Sequence, residues 1–210
     1  MSNAIERDID VKTFIVGALE TNCYIIYSKK SKEGFLIDPG FFDKRVEKAI
    51  AENGIKIKNI INTHAHIDHT SGNKKFGYPI LLHEEDNELL QNPSKNLAFF
   101  IGIFSDSPKA SGFLKENDCV EAKGLKMSVI HTPGHTPGGI SLVADEVVFT
   151  GDTLFLESVG RSDFPYSSEE KLLNSIRDKL MKLDDKTVVL PGHGAATTIG
   201  HERKYNMFLK

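Results

Sequence analysis

The run Thr63-His64-Ala65-His66-Ile67-Asp68-His69 constrains this chain more than any other stretch. It places three imidazoles and a carboxylate within six positions, directly after the apolar, strand-like Ile57-Lys58-Asn59-Ile60-Ile61-Asn62. Residues two apart on leaving a strand point the same way, so His64 and His66 can grip one metal ion. Asp68 and His69 come after the chain turns, face elsewhere, and suit a second ion beside the first. Imidazole nitrogen and carboxylate oxygen form the ligand set of zinc, and also of iron and manganese. A histidine-rich surface turn is the plain alternative, and it loses ground with each further donor at a comparable position.

Three further donors occupy such positions. His135 sits in His131-Thr132-Pro133-Gly134-His135-Thr136-Pro137-Gly138-Gly139, a turn between two apolar runs. Asp152 follows Val147-Val148-Phe149-Thr150-Gly151, and His193 lies in Leu190-Pro191-Gly192-His193-Gly194 after Thr187-Val188-Val189-Leu190. Each has Gly or Pro beside it, which lets the backbone turn sharply at a strand end. Singly, an Asp after a Gly is an ordinary turn former. Together, at strand ends, these residues read as one site.

Bulk properties fit a compact enzyme. A chain of 210 residues suffices for one domain with a proper core, so residues 1–210 are read as a single domain. Hydrophobic residues at 40% and charged ones at 26% argue against disorder. A net charge of −3 without a basic cluster gives no footing for nucleic acid. No apolar run approaches the ~18 residues of a membrane helix, and the amino terminus does not read as a signal peptide. Cys23 and Cys119 are isolated and read as reduced thiols, which points to the cytoplasm.

Strand patterns run over Val11 to Val16, Asn22 to Tyr27 and Gly34 to Ile37. A helix capped by Asp43 follows, with Val46, Ala49 and Ile50 on one face and Gly54 as its stop. After the strand Ile57 to Asn62, a short helix is expected to start beyond Asp68 and run to about Phe76, followed by a strand Pro79 to Leu82. The segment from Glu84 to about Asn117 reads as a helical and loop insertion. It is either a cover that buries Phe99, Phe100 and Phe104 or a loop that selects substrate, with Phe42 and Tyr166 as further candidates for lining a pocket. Strands return at Met127 to His131, Gly139 to Ala144 and Val147 to Thr150. Ser167 and Glu170 form a capping box for a helix to about Leu183, and a last strand spans Thr187 to Leu190. Strands followed by a helix occur twice, which suggests two similar halves packed face to face with helices outside.

The pattern His-x-His-x-Asp-His, then a distant His, an Asp and a last His, resembles the metallo-β-lactamase superfamily, over nearly the whole span from Asp38 to His193. The resemblance implies an α+β fold: a four-layer αβ/βα sandwich of two mixed β-sheets with helices on the outer faces and a two-metal site at one edge. It implies that His64, His66 and His135 hold one metal, that Asp68, His69 and His193 hold another, and that Asp152 bridges them. Within the superfamily the chain is similar to the glyoxalase II branch, in its short bacterial form. The passages that carry this are His131 to Gly138, Gly151-Asp152-Thr153-Leu154-Phe155 and Gly160-Arg161-Ser162-Asp163-Phe164-Pro165. Asp152 departs from the cysteine of the best-known true β-lactamases, which speaks against antibiotic resistance. The chain ends soon after His193, without the helical domain that binds glutathione in long-form enzymes.

The chemistry expected of this ligand set is hydrolysis of a small thioester by hydroxide shared between two divalent cations, with zinc the default and iron or manganese the alternatives. Asp68 is expected to orient the nucleophile and shuttle its proton while also binding metal. A thiolate leaves readily, so no strong acid is required. His131 is read as orienting or packing, with His83 in a surface pairing with Glu84 and Glu85, and His201 solvated. Arg161 and Asp163 either pair to hold the Gly160 loop or brace Asp152. The competing readings are a mononuclear-iron persulfide dioxygenase, which would use His64, His135 and Asp152, and a non-catalytic metal-binding scaffold. Lactone or phosphodiester cleavage fits the composition less well.

Overall fold

The structure, a computed structural model, describes residues 8–102 and 107–210, without the side chains of Phe100 and Ile101. Six strands form the first sheet in chain order: β1 (Ile9–Val16), β2 (Thr21–Ser28), β3 (Glu33–Ile37), β4 (Lys56–Ile61), β5 (Ile80–His83) and β6 (Gly112–Leu114). The first three pair antiparallel, and β3 to β6 run parallel. The chain then enters β7 (Cys119–Ala122), β8 (Leu125–His131), β9 (Ile140–Ala144) and β10 (Val147–Gly151). A small hairpin of β11 (Leu154–Phe155) and β12 (Ser158–Val159) precedes β13 (Val188–Pro191) and β14 (Thr197–Thr198). The second sheet has the order β14-β13-β10-β9-β8-β7, with β10 and β13 parallel and its other neighbours antiparallel.

Period-2 alternation explains the layering. Along β2, Tyr24 and Ile26 face the second sheet, where they join Phe35, Ile37, Met127, Val129, Leu142 and Phe149 in the inter-sheet core. The alternate residues Cys23, Ile25 and Tyr27 face outward onto α1 (Lys44–Glu52) through Val46 and Ile50. All eight residues of β2 are buried, as a strand covered on both faces requires. On the other side, Val148 and Val189 pack against Leu172 and Ile176 of α5 (Glu169–Asp178), and against Ile199. The result is the expected helix–sheet–sheet–helix sandwich. No helix among the described residues is long and apolar enough to cross a membrane.

Several local expectations need correction. The helix after the histidine run starts at Ile67, ahead of Asp68, and splits into α2 (Ile67–Thr70) and α3 (Asn73–Phe76). It breaks at Gly72, whose N–H donates to Pro39 O at 2.9 Å in an approach so close that a Cβ would strike that carbonyl. The 84–117 segment holds α4 (Asn87–Gln91) and two 3₁₀ turns, but its end is β6, the edge strand of the first sheet. Phe99 is 53% exposed and so is no core residue; Phe104 and the Phe100 side chain lie outside the described residues. Ser168, not Ser167, caps α5 by accepting from Lys171 N, and the helix ends at Asp178 before a 3₁₀ turn at Leu180–Lys182. The short elements β6, β7, β11, β12, β14 and α6 (Ile199–Tyr205) lie outside the expected pattern.

Candidate metal centre

Every donor singled out in the sequence follows the carboxyl end of a strand, and all lie on one edge of the sandwich. His64, His66, Asp68 and His69 follow β4, His135 follows β8, Asp152 follows β10, and His193 follows β13. Backbone bonds stitch this edge together between the sheets. Asn22 N–H donates to Gly192 O at 2.7 Å, and Ile140 N–H to Thr63 O at 2.8 Å. Tyr24 OH reaches Pro191 O at 2.6 Å, and burial pushes that phenol far up, so it stays a neutral donor.

The donor atoms converge as two triplets. In each of the groups His64, His66, His135 and Asp68, His69, His193, the atoms lie within 4.8 Å of one another. His66 Nδ1 is 2.9 Å from His135 Nε2, and His193 Nε2 is 3.1 Å from Asp68 Oδ2. Asp152 stands between the triplets, with Oδ1 3.4 Å from His69 Nε2, and Oδ2 3.5 Å from His135 Nε2 and 3.7 Å from His193 Nε2.

The outward bonds of the rings decide where their lone pairs face. His135 Nδ1 donates to Arg161 O at 2.7 Å, which leaves Nε2 bare toward the centre. His69 Nδ1 donates to Asp38 Oδ2 at 3.0 Å, again leaving Nε2 inward. Thr63 Oγ1 gives its proton to Asp38 Oδ2 at 2.6 Å, so it accepts from His64 Nδ1 at 3.2 Å and His64 Nε2 points inward. That His64 Nε2 and the Asp152 Oδ1 are buried without a hydrogen-bond partner. Buried orphan acceptors are costly in a folded protein, and a cation would satisfy both. The donor set thus fits divalent metal.

Electrostatics agree. Burial, reinforced by the neighbouring His135, pushes His66 down to about 3, and burial with His69 beside it pushes His64 well below its ordinary value. Both rings are neutral at physiological pH, as a metal ligand must be. Burial alone would lower His69 too, but Asp68, Asp152 and Asp38 outweigh it and hold that ring well above the usual range. The Asp152 carboxyl is held well below its usual range despite burial, chiefly by His69. The cluster concentrates negative charge around a position where only a proton or a cation can balance it.

Sequence reasoning missed two buried carboxylates. Asp38 also accepts from Thr63 N at 2.7 Å, so it orients the loop and His69 at once. Although Asp38 lies within 4.8 Å of donor atoms of His64 and His69, Oδ2 is already taken by Thr63 and His69, which makes it an orienting group. Asp86 accepts from Ala65 N, Thr136 Oγ1 and Gly138 N, tying the two ligand-bearing loops to each other. Asp38 carried a signal, since it precedes Pro39-Gly40 at a strand end; Asp86 carried none beyond its place in an acidic run.

Other candidates settle differently. Arg161 and Asp163 pair with each other, Nε to Oδ1 at 2.9 Å and Nη2 to Oδ2 at 2.8 Å. Neither side chain braces Asp152; the Arg161 main-chain carbonyl instead orients His135. His131 donates Nε2–H to Pro137 O at 2.9 Å, steadying the His135 turn, and its ring stacks on His83 at 3.9 Å and 9°. His83 is therefore buried in a stack instead of a surface pairing with Glu84 and Glu85. These two rings with Glu85 form a further group of donors, but parallel stacked imidazoles direct their in-plane lone pairs past a common point. His201 pairs with Glu157 at 2.9 Å. Phe42 packs on Phe76, and Tyr166 sits under Lys95, so neither lines the cleft over the site.

That cleft, of about 720 Å³, is floored by His66, Asp68, His135, Asp152 and His193. Leu19, Ile67, Leu97, Phe155, Phe164 and Pro165 wall it, and Arg161 and Asp163 stand at its rim.

Fold and donor cluster together define a metalloprotein whose site lies where two facing sheets meet at one edge. The chain belongs to the metallo-beta-lactamase superfamily, whose family model matches residues 16–193. It is 34% identical to hydroxyacylglutathione hydrolase GloC of Haemophilus influenzae over 213 residues, covering 96% of this chain and 98% of that protein. Its fold is similar to the crystal structure of BLEG-1 B3 metallo-beta-lactamase, with a TM-score of 0.88, 32% identity and coverage of 96% of this chain and 100% of that one. It is also similar to TTHA1623 in a di-iron-bound form, with a TM-score of 0.83, 32% identity and coverage of 94% and 100%.

Proposed function

We propose that this protein is a metal-dependent hydrolase of small thioesters. In this reading His64, His66 and His135 hold one divalent cation, Asp68, His69 and His193 a second, and Asp152 lies between them, with zinc as the metal. The observation that carries it is the complete donor set opening directly onto an apolar cleft of about 720 Å³, the size class of small-molecule sites. The extended likeness to a hydroxyacylglutathione hydrolase supports a thioester as the bond cleaved.

Bound there, divalent cations supply Lewis acidity to water and to a carbonyl oxygen. The chain's own residues do the rest. Asp68 projects into the cleft beside His193; with Oδ2 turned toward His69 and His193, its carboxylate accepts the proton of the attacking water and returns it to the departing sulfur. Arg161 O, Asp38 and Thr63 keep the imidazoles in the tautomers that present bare nitrogens. The apolar wall of Leu19, Phe155 and Phe164 thins the water around the scissile carbonyl, which strengthens every charge interaction at the floor.

The test is S-lactoylglutathione hydrolysis by zinc-loaded protein, with metal content measured in parallel and a chelated sample as blank. Turnover that chelation abolishes is expected. A folded, metal-loaded protein without turnover overturns the reading. Nitrocefin hydrolysis would then redirect it to the β-lactam chemistry named for BLEG-1, and oxygen uptake with a persulfide by iron-loaded protein would redirect it to dioxygenase chemistry.

A further inference from the structure

Resting on the thioesterase reading, we infer that the site recognises an apolar acyl group, and that Asp163 makes the cleft indifferent to charge on the thiol by occupying Arg161. The flanks of the donor cluster carry the first half. The Phe164 ring lies 5.7 Å from His66 and 6.0 Å from His135, and the Phe155 ring 6.4 Å from His193. A carbonyl placed over Asp68 and Asp152 sits between these two rings, with Leu19 and Pro165 further along the wall. The acyl group is bonded to that carbon, so it meets aromatic or aliphatic surface on either flank. Burial of its methylenes is the interaction this wall offers.

The second half rests on Arg161, the one cation among the described residues that line the cleft. Its main chain is pinned, because its carbonyl accepts from His135 Nδ1 at 2.7 Å. Its guanidinium gives one bidentate edge, Nε and Nη2, to the Asp163 carboxylate, which offsets its charge locally. The same guanidinium lies over the Phe164 ring at 4.2 Å, which fixes its plane. A carboxylate on an incoming thiol, such as either carboxylate of glutathione, either displaces Asp163 from the Nε–Nη2 edge or approaches the remaining Nη1 edge of a guanidinium already paired with an anion. In both cases it meets the Asp163 charge together with the Arg161 charge, and the pair offers it little net attraction. The pair is exposed, 65% and 68% for the two side chains, so Asp163 acts by local occupancy and not as a structural anchor.

The experiment compares kcat/KM of the metal-loaded protein for butanoyl and lactoyl thioesters, each on glutathione and on the neutral thiol N-acetylcysteamine. The butanoyl esters are expected to lead on either thiol, and the two thiols to agree within roughly three-fold for a given acyl group. Asp163→Ala frees the guanidinium, and the glutathione-to-N-acetylcysteamine ratio is expected to rise roughly five-fold, through KM and not kcat. Adding Arg161→Met to that variant should cancel the rise while the main-chain bond to His135 stays. A wild-type preference for glutathione above ten-fold, a preference for lactoyl, or a ratio unmoved by Asp163→Ala overturns the inference and leaves the thioesterase reading standing. Absence of turnover on all four esters overturns both.

Discussion

Asp86 is the residue through which the two donor-bearing loops depend on each other, and its removal gives the most exposed test of the site's construction. Its carboxylate accepts from Ala65 N at 2.8 Å, Thr136 Oγ1 at 2.8 Å and Gly138 N at 2.6 Å. Ala65 lies between His64 and His66, and Thr136 follows His135. In Asp86→Ala those buried donors lose their acceptor, at about 1–3 kcal/mol each. An opposing effect comes from burial, which pushes the carboxyl up from 3.8 to about 6 against its own hydrogen bonds. Holding it ionised at neutral pH costs the fold about 3 kcal/mol, and the alanine removes that cost. The balance at neutral pH is a loss of a few kcal/mol, equivalent to several degrees in Tm. A carboxyl raised in the fold stabilises at low pH and loses that contribution as pH rises through about 6. Thr136 allows this, because its hydroxyl can turn to accept from the protonated acid. The wild type therefore gains from this group on acidification from pH 7.5 to 5.5, and Asp86→Ala does not. Urea unfolding at both pH values, on chelated samples of both proteins, should show the larger penalty at pH 5.5. Metal affinity at pH 7.5 should fall at least ten-fold, as for other lost supports of metal ligands. A variant with unchanged affinity, or one whose penalty is larger at pH 7.5, refutes the reasoning.

Two further substitutions probe the same architecture. A Cβ on Gly192 would strike Asp152 Oδ1 and come within 2.7 Å of His69 Cε1. Gly192→Ala should lower metal content measured after dialysis with little change in the far-UV spectrum, and full retention of metal would contradict the placement of Asp152. Asp38→Asn keeps a residue that tolerates the φ of +46° there, but it weakens the acceptor for His69 Nδ1, Thr63 N and Thr63 Oγ1. Affinity for one of two zinc equivalents should drop by about 10–100-fold in a competition titration, with the other little changed. An equal loss at both equivalents would mean that Asp38 supports the whole loop and not His69 in particular.

What the sequence disclosed and what it withheld divide along the range of the interactions involved. The seven donors were legible because each sits at a strand end marked by its own local chemistry: an apolar run before it and Gly, Pro or a turn beside it. The sandwich was legible for the same reason, since the burial of Tyr24 and Ile26 against Cys23 and Ile25 follows from alternation within one strand. Edge elements were not: β6 has three residues and β14 two, too short for a period to register. The supports of the ligands were hidden more deeply. Asp86 meets Gly138 across 52 positions and Asp38 meets Thr63 across 25, and no pattern around either carboxylate encodes those partners. Arg161 shows the limit from the other side. Its side chain forms the ion pair with Asp163 that is one of its two readings, and not the brace for Asp152, yet the group that acts on the site is its carbonyl oxygen, which every residue possesses. A backbone acceptor leaves no trace in residue identity, so Arg161→Met should preserve His135 orientation, whereas any change that displaces the 160–163 backbone should not. The identity of each candidate donor is written locally in this chain. Its tautomer is written by atoms that only the fold brings near.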